Sequence, residues 1–374
     1  MPTPTDLKNL TQPRLTEFFL DLGLPPSRAR HVFALLHRPG TRDFAGMSSV
    51  RKEIRNMLAQ HACISWLEPA AVEQSRDGTV KFAFRLNDGA AIESVLIPAE
   101  GRHTLCVSSQ AGCAMGCRIC LTAGMGFQRN LTPAEIVNQV LAAQEHLIRS
   151  GCIRATPRQL IDNLVFMGMG EPLANYENLL CALNILMDEQ GQGFSERRIT
   201  VSTCGLVPRI KDLGRDIRVN LAVSLHAADD ITRDILMPVN RTYGVDELLA
   251  ACRAYPLSKR QVVFIEYVLI AGLNDTASAA RKLAEKLQGI RCRVNLLPYN
   301  ESPSLSYRCS PPENIAAFQE ILRGSGYRTL IRNSRGADIS AACGQLVSNG
   351  HGADASTPDR VVRQNRLAPS APAC

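Results

Sequence analysis

The sequence predicts an α/β protein built on a partial (βα)6 barrel, preceded by an N-terminal helical accessory domain and a small β-hairpin segment. Three observations carry that prediction. Beyond about residue 103 of the 374-residue chain, strongly apolar strand-like runs alternate with helical patterns, as in a parallel sheet buried on both faces. A period-2 hairpin precedes them, and a stretch of helical period precedes the hairpin. Counting the run before a cysteine-rich loop gives six parallel strands, short of the eight of a closed barrel.

Residues 1–62 form the accessory domain. A helix over 15–23 ends at Gly23, Pro25-Pro-Ser27 caps a second over 28–37, and a third starts at Ser48 or Ser49 and runs to about 60. The module carries Arg28, Arg30, Arg38, Arg51 and Lys52. Residues 63–102 form the hairpin segment: runs over 80–86 and 91–97 are joined through Asn87-Asp-Gly89, a strong hairpin signal. Glu93 lies in the second strand, where a lone glutamate is ordinarily solvated. The barrel domain, 103–347, opens with the run 103–109. Thr132-Pro-Ala-Glu135 starts a long helix to about 147, with threonine as N-cap, proline at N1 and glutamate at N3. Strands are expected over 163–167, 198–203, 219–225, 262–269 and 293–297, and helices over 176–187, 245–254, 276–288 and 312–325. The last segment, 348–374, is rich in Ala, Pro and Ser and is expected to be a disordered tail.

At 45% hydrophobic the chain can bury a large core. No apolar run is long enough to cross a bilayer and Met1-Pro-Thr-Pro-Thr lacks a signal pattern, so no membrane association and a cytoplasmic location are expected. Thirteen cysteines, an odd number with three at ligand spacing, fit a reducing compartment better than a disulfide framework. The net charge of +7 permits a polyanionic partner, although the basic residues are dispersed.

Cys113-Ala-Met-Gly-Cys117-Arg-Ile-Cys120 has Cys-x3-Cys-x2-Cys spacing, with no fourth Cys or His nearby. Three such thiols suit three irons of a [4Fe-4S] cubane and leave one iron open, whereas a structural zinc site is closed by four ligands. A zinc site with a remote fourth ligand, or three unrelated thiols, is the alternative reading. The spacing resembles that of the radical S-adenosylmethionine (SAM) enzymes, in which SAM chelates the open iron. In barrels of this kind the chemistry collects at C-terminal strand ends. Here those ends read Gly168-Met-Gly-Glu-Pro172, Ser202-Thr-Cys-Gly205, Ser224-Leu-His226 and Pro298-Tyr-Asn300, small hydrogen-bonding groups suited to SAM. Glu171 can pair with an ammonium group.

Longer motifs narrow the resemblance. Thr104-Leu-Cys-Val-Ser-Ser-Gln-Ala-Gly-Cys113, Gly126-Phe-Gln-Arg-Asn-Leu131, Gly168-Met-Gly-Glu-Pro-Leu173, Met237-Pro-Val-Asn240, Val294-Asn-Leu-Leu-Pro298 and Ala341-Ala-Cys-Gly-Gln345 resemble the bacterial dual-specificity adenine C2-methyltransferases of 23S rRNA and tRNA. The likeness runs from about Asp21 to Leu346. It implies a radical SAM partial barrel with cluster ligands Cys113, Cys117 and Cys120. It implies SAM contacts at Gly170, Glu171, Ser202, Ser224, Leu225, His226 and Asn300, a methyl-carrying Cys343, a second essential Cys106 and a proton acceptor at Glu93. It also implies that the N-terminal module contacts RNA. On the residues alone, Cys106 reads as a buried barrel thiol and Cys343 as incidental. The sequence departs from the family at Ile119, commonly aromatic, and at Thr122-Ala-Gly124, where Thr-Gly is usual.

Carbon 2 of adenine is electron-poor and cannot attack an electrophilic methyl group, so a radical route is required. By the resemblance, Cys343 as thiolate takes a methyl from one SAM, and a second SAM supplies the radical that converts it to a carbon radical, which adds to C2. Release of the resulting protein–RNA adduct needs loss of the C2 proton, to Cys106 or Glu93, and a Cys106–Cys343 disulfide. A reductant such as flavodoxin or a ferredoxin-type donor and a monomeric state are expected. Two alternatives remain open: C8 methylation of adenine, and a non-catalytic iron–sulfur RNA-binding protein.

Overall fold

The computed structural model describes residues 4–152, 154 and 160–347; the expected tail lies outside the described residues. The N-terminal module comprises β1 (Thr5–Asp6), α1 (Gln12–Asp21), α2 (Ala29–Leu36), α3 (Lys52–His61) and β2 (Ala62–Cys63), with β1 and β2 pairing in parallel. Helix α3 begins at Lys52, later than Ser48 or Ser49, because the preceding residues form successive turns. Met47 N donates to Phe44 O at 3.2 Å and Val50 N to Met47 O at 2.9 Å, burying all three side chains.

Strands β3 (Pro69–Gln74), β4 (Val80–Arg85), β5 (Ala91–Ala99) and β6 (Arg102–Cys106) form an antiparallel meander. The cysteine loop is bracketed by β7 (Gln110–Gly112) and β8 (Phe127–Asn130), with the short α4 (Leu121–Gly124) between them. There follow α5 (Pro133–Arg149), β9 (Asn163–Phe166), α6 (Tyr176–Met187), β10 (Ile199–Thr203), α7 (Val207–Asp216), β11 (Asn220–Ser224), α8 (Asp230–Leu236) and α9 (Val245–Ala254). The chain continues through β12 (Val263–Leu269), α10 (Ala277–Lys286), β13 (Cys292–Pro298), α11 (Pro312–Gly324) and β14 (Thr329–Ile331).

All the strands from β3 on except β7 and β8 join one ten-stranded sheet, ordered β14-β13-β12-β11-β10-β9-β6-β5-β4-β3. From β6 to β14 neighbours run parallel. The parallel part therefore has seven strands rather than six, because three-residue β14 is too short to register as an apolar run. Edge strand β3 opens on a proline and is mostly exposed, so it too lacks an alternating signal. Helix α7 was not expected because Gly214 weakens its propensity near the C-terminal end.

The sheet ends at β14 and β3 and does not close. It curls nonetheless: Ile97 on β5, Phe166 on β9, Ser202 on β10, Ser224 on β11, Glu266 on β12 and Asn295 on β13 line one cavity. Strand alternation explains the division of labour. On β12, Glu266 and Val268 face the cavity, while Ile265 and Tyr267 are fully buried and the Tyr267 ring lies 5.1 Å from that of Phe318 on α11.

Helix α5 couples the module to the barrel. Thr132 Oγ1 accepts from Glu135 N at 3.2 Å and Glu135 Oε2 accepts from Thr132 N at 2.9 Å, the expected capping box. Asn9 Oδ1 accepts from Ala134 N at 2.9 Å, satisfying another of the helix's free amides. Lys8 Nζ donates to Asn138 Oδ1 at 2.9 Å and lies 5.0 Å from the centre of the Trp66 ring, as does the Arg42 guanidinium. Burial pushes Lys8 down to about 7. Replacing Thr132 with Ala removes half the capping box; the expected loss is about 1 kcal/mol, read as a fall of about 1–2 °C in the thermal midpoint by calorimetry.

Candidate active site

The three clustered thiols sit on a loop clamped at its base. Gly112 has φ +72°, and a Cβ there would lie 1.8 Å from Gly126 O; the next residue, Cys113, donates its amide to that same oxygen at 3.0 Å. Only glycine permits so close an approach. Farther along, Arg118 N donates to Leu236 O at 2.9 Å and Leu121 N to Gly344 O at 2.8 Å, pinning the loop between the end of α8 and the segment that carries Cys343.

Cys113, Cys117 and Cys120 line a cavity of about 400 Å³ beside Met115, Ile119 and Met237. Among the described residues no three His, Cys, Asp or Glu side chains converge tightly enough to hold one metal ion. Three soft donors spread along one wall suit a cluster that takes one thiolate per iron, not a mononuclear zinc. Burial pushes Cys113 up to about 11 and Cys117 higher still, the neighbouring thiols adding to both, so a cationic centre must compensate the thiolates.

Gly170, Glu171, Ser202, Ser224, His226, Asn300 and Cys343 line the same cavity. Gly170 has φ +94°, and a Cβ there would lie 2.4 Å from that of Gln110. The Glu171 carboxylate is less free than the sequence suggested: Oε1 accepts from Leu173 N at 3.0 Å and Oε2 from Cys204 N at 2.8 Å, joining the loops after β9 and β10. Burial pushes it up against these bonds. His226 adopts φ +58°. Its Nδ1 accepts from Val268 N at 3.1 Å, which leaves the ring proton on Nε2. Burial and then the Arg233 charge push it down to about 3, so the ring is neutral. Leu225 does not line the cavity; it is fully buried and only its backbone is engaged, N donating to Glu266 O at 3.0 Å.

Cys343 lies on a strap that follows β14. Asn300 Nδ2 donates to Cys343 O at 3.1 Å, Thr122 Oγ1 to Leu346 O at 2.7 Å, Lys81 Nζ to Ile339 O at 2.7 Å and Gly336 N to Asp77 Oδ2 at 3.1 Å. The sulfur is open to the cavity yet ringed by protein; burial, the Glu266 charge and Cys120 push it up to about 11. Cys106, at the end of β6, is buried and stands opposite Val95, on the same face of the sheet as cavity-lining Ile97. Burial raises it most, and the Cys343 charge raises it further, as befits neighbouring thiols.

Glu93 is buried, contrary to the ordinary behaviour of a strand glutamate, and is absent from the cavity wall. Lys81 Nζ approaches its carboxylate at 3.7 Å and that of Glu73 at 3.1 Å. Burial pushes Glu93 up to about 7 against the Lys81 charge. Sequence reading missed three polar groups of the site. Arg233 is fully buried beneath it, and Glu266 and Asn295 line it. The available signal was a carboxylate inside the apolar run Val263-Phe-Ile-Glu-Tyr-Val-Leu269.

Gly112→Ala is expected to keep the secondary structure by circular dichroism but to lose most of its iron on anaerobic reconstitution, measured by iron and sulfide analysis. Glu93 binds a proton in the folded state that the unfolded chain releases above its ordinary value of 4.5. Its ionisation therefore lowers stability as pH rises from there to about 7, and the cost persists above. Glu93→Gln should gain in thermal midpoint over the parent at pH 8 relative to pH 4.5; an equal difference at both values would contradict this.

Comparison with known proteins agrees with this geometry. The family model of the Radical SAM superfamily matches residues 107–283, and that of the ribosomal RNA large subunit methyltransferase N-terminal domain matches 5–64. The dual-specificity RNA methyltransferase RlmN of Desulfotalea psychrophila is 52% identical over 92% of this chain and 95% of its own length. That of Geobacter sulfurreducens is 49% identical, over 92% and 93%. A radical SAM methyltransferase from Sphaerobacter thermophilus superposes with a TM-score of 0.85 at 44% identity, covering 91% of this chain and 99% of that one. With both of its domains matched and nearly its whole length shared, the chain belongs to the RlmN family of radical SAM RNA methyltransferases.

Proposed function

We propose that the chain methylates carbon 2 of an adenine in 23S rRNA and in tRNA through an S-methylcysteine at Cys343, consuming two SAM per turnover. The observation that carries the reading is the opening of Cys343 onto the cavity that Cys113, Cys117 and Cys120 line, with Cys106 on the inward face of β6. When bound, the cluster and SAM supply a methyl group and a reductively generated radical. Cys113, Cys117 and Cys120 would hold the cluster; Gly170, Ser202, Ser224, His226 and Asn300 line the space left for SAM, with His226 Nε2–H as a neutral donor.

Cys343 carries the methyl group to the adenine. Cys106 then closes on the Cys343 sulfur as a disulfide, and Cys106 or Glu93 takes the C2 proton. Glu93, near 7, can accept it at neutral pH, whereas the Cys106 thiol is raised by burial. Arg28, Arg30, Arg38, Arg51 and Lys52 are exposed on the N-terminal module and suit RNA phosphates. A flavodoxin or ferredoxin-type donor would reduce the cluster in the cytoplasm, where the disulfide can be reopened, and the enzyme would act as a monomer. No helix among the described residues is long and apolar enough to cross a membrane.

Anaerobic incubation with SAM, reductant and 23S rRNA fragments or tRNA should yield 2-methyladenosine by nucleoside mass analysis; 8-methyladenosine would instead support the C8 activity. Cys343→Ala should give no product, and Cys106→Ala should accumulate a covalent protein–RNA adduct visible as a nuclease-sensitive band shift.

A further inference from the structure

Methyl transfer to Cys343 requires its thiolate, yet the thiol is pushed up to about 11 and is almost wholly protonated at neutral pH. With SAM filling the cavity, water is displaced from the sulfur and the proton must pass to a group on the wall. The described candidates narrow quickly. Glu171 accepts backbone amides on both oxygens, and the His226 nitrogen that could accept a proton already accepts the Val268 amide. Arg332 and Arg335 are cations, burial raises Cys204 and Tyr299, and the three loop cysteines are committed to the cluster.

Glu266 remains. It stands at the middle of β12, in register with Ser224 on β11 and Asn295 on β13, so that the three form one polar row across the wall. Its Oε1 accepts from Asn295 Nδ2 at 2.7 Å, while Oε2 has no hydrogen-bond partner among the described residues. Arg332 Nε donates to Asn295 Oδ1 at 3.3 Å, which turns the amide nitrogen toward Glu266. Burial pushes the carboxyl up to about 7 against the Asn295 bond and the Arg332 charge, a value suited to a base at neutral pH. Glu266 and Cys343 line the same cavity, and the charge of Glu266 raises the Cys343 thiol.

We propose that Glu266 is the base that takes the Cys343 thiol proton as the sulfur accepts its methyl group. The S–H bond breaks and its proton goes to Oε2. The sulfur pair forms the bond to the methyl carbon, and the sulfonium carbon–sulfur bond breaks with its pair returning to the donor, which leaves as neutral S-adenosylhomocysteine. Carboxylate and sulfonium charges are both neutralised, which a buried site favours.

The inference rests on Cys343 as the methyl carrier, and the test separates the two. Cluster-loaded protein is incubated with SAM, and the mass of the Cys343 peptide is followed; in parallel, SAM-free protein is alkylated with iodoacetamide. Glu266→Gln should take methyl at least about a hundredfold more slowly, yet be alkylated at least as fast as the parent, because the carboxylate that raises the thiol is gone. Glu266→Asp should recover part of the methyl transfer. A Glu266→Gln protein that methylates at the parent rate overturns the inference, and so does one slowed equally in both reactions, the mark of a displaced thiol. Asn295→Ser keeps the carboxylate but drops the bond that favours its charge. It should move the pH midpoint of methyl transfer upward from about 7; an unmoved midpoint counts against the proposal. Methyl found on the parent protein at a residue other than Cys343 would defeat the functional reading instead.

Discussion

The Arg233 guanidinium is fully buried at the mouth of the barrel and donates to four oxygens: Leu225 O at 3.0 Å, Asn240 Oδ1 at 3.0 Å, Cys204 O at 2.6 Å and Ser224 O at 3.2 Å. No carboxylate lies within ion-pair distance of it among the described residues. A buried cation without a direct counterion is costly, and it persists because it satisfies the carbonyls of two strand ends at once. Asn240 extends the network to Asp230 and Asp234, at 3.0 and 2.7 Å. The loops that carry Ser202, Ser224 and His226 are thereby held in one arrangement. The same charge opposes the burial that raises the Cys117 thiol, so one side chain both shapes the cavity wall and favours thiolates on the cysteine loop.

Against that fixed wall, the approach of backbone to backbone does the finer positioning. Gly112 and Gly170 take positive φ where a Cβ would strike Gly126 O or the Gln110 side chain. Gln110 itself accepts Glu171 N at 2.9 Å and donates to Asn130 Oδ1 at 2.8 Å. The β9 loop and the β7–β8 pair at the base of the cysteine loop are therefore tied together. Such fixed geometry suits a reaction in which a radical must meet a single hydrogen.

The strap carrying Cys343 is held differently. Its anchors are polar and spread over distant segments: Asn300 beyond β13, Thr122 after the cluster loop, and Asp77 and Lys81 on the β3–β4 hairpin. The hairpin thus helps to build the cavity, its turn and Lys81 clasping the segment that leads to Cys343. Glu93 is buried for the same reason, since the strap and Lys81 cover the face of β5 that an isolated hairpin would leave to water.

Sequence by itself determined whatever depends on local spacing. Cys113, Cys117 and Cys120 lie on one loop, so their separation along the chain limits their separation in space, and the Thr132–Glu135 cap and the alternation of strands and helices are likewise short-range. The family motifs were legible for the same reason, and the comparisons bear out the family. Tertiary structure alone decided which distant groups meet. It brought Cys343 to the cavity of the clustered thiols, buried Glu93 against Lys81, engaged both oxygens of Glu171, and withdrew the Leu225 side chain from the cavity. It also turned Glu266 inward from a run that reads as apolar. A strand's period of two says that alternate residues share a face, but only the curl of the sheet decides whether that face is core or active site.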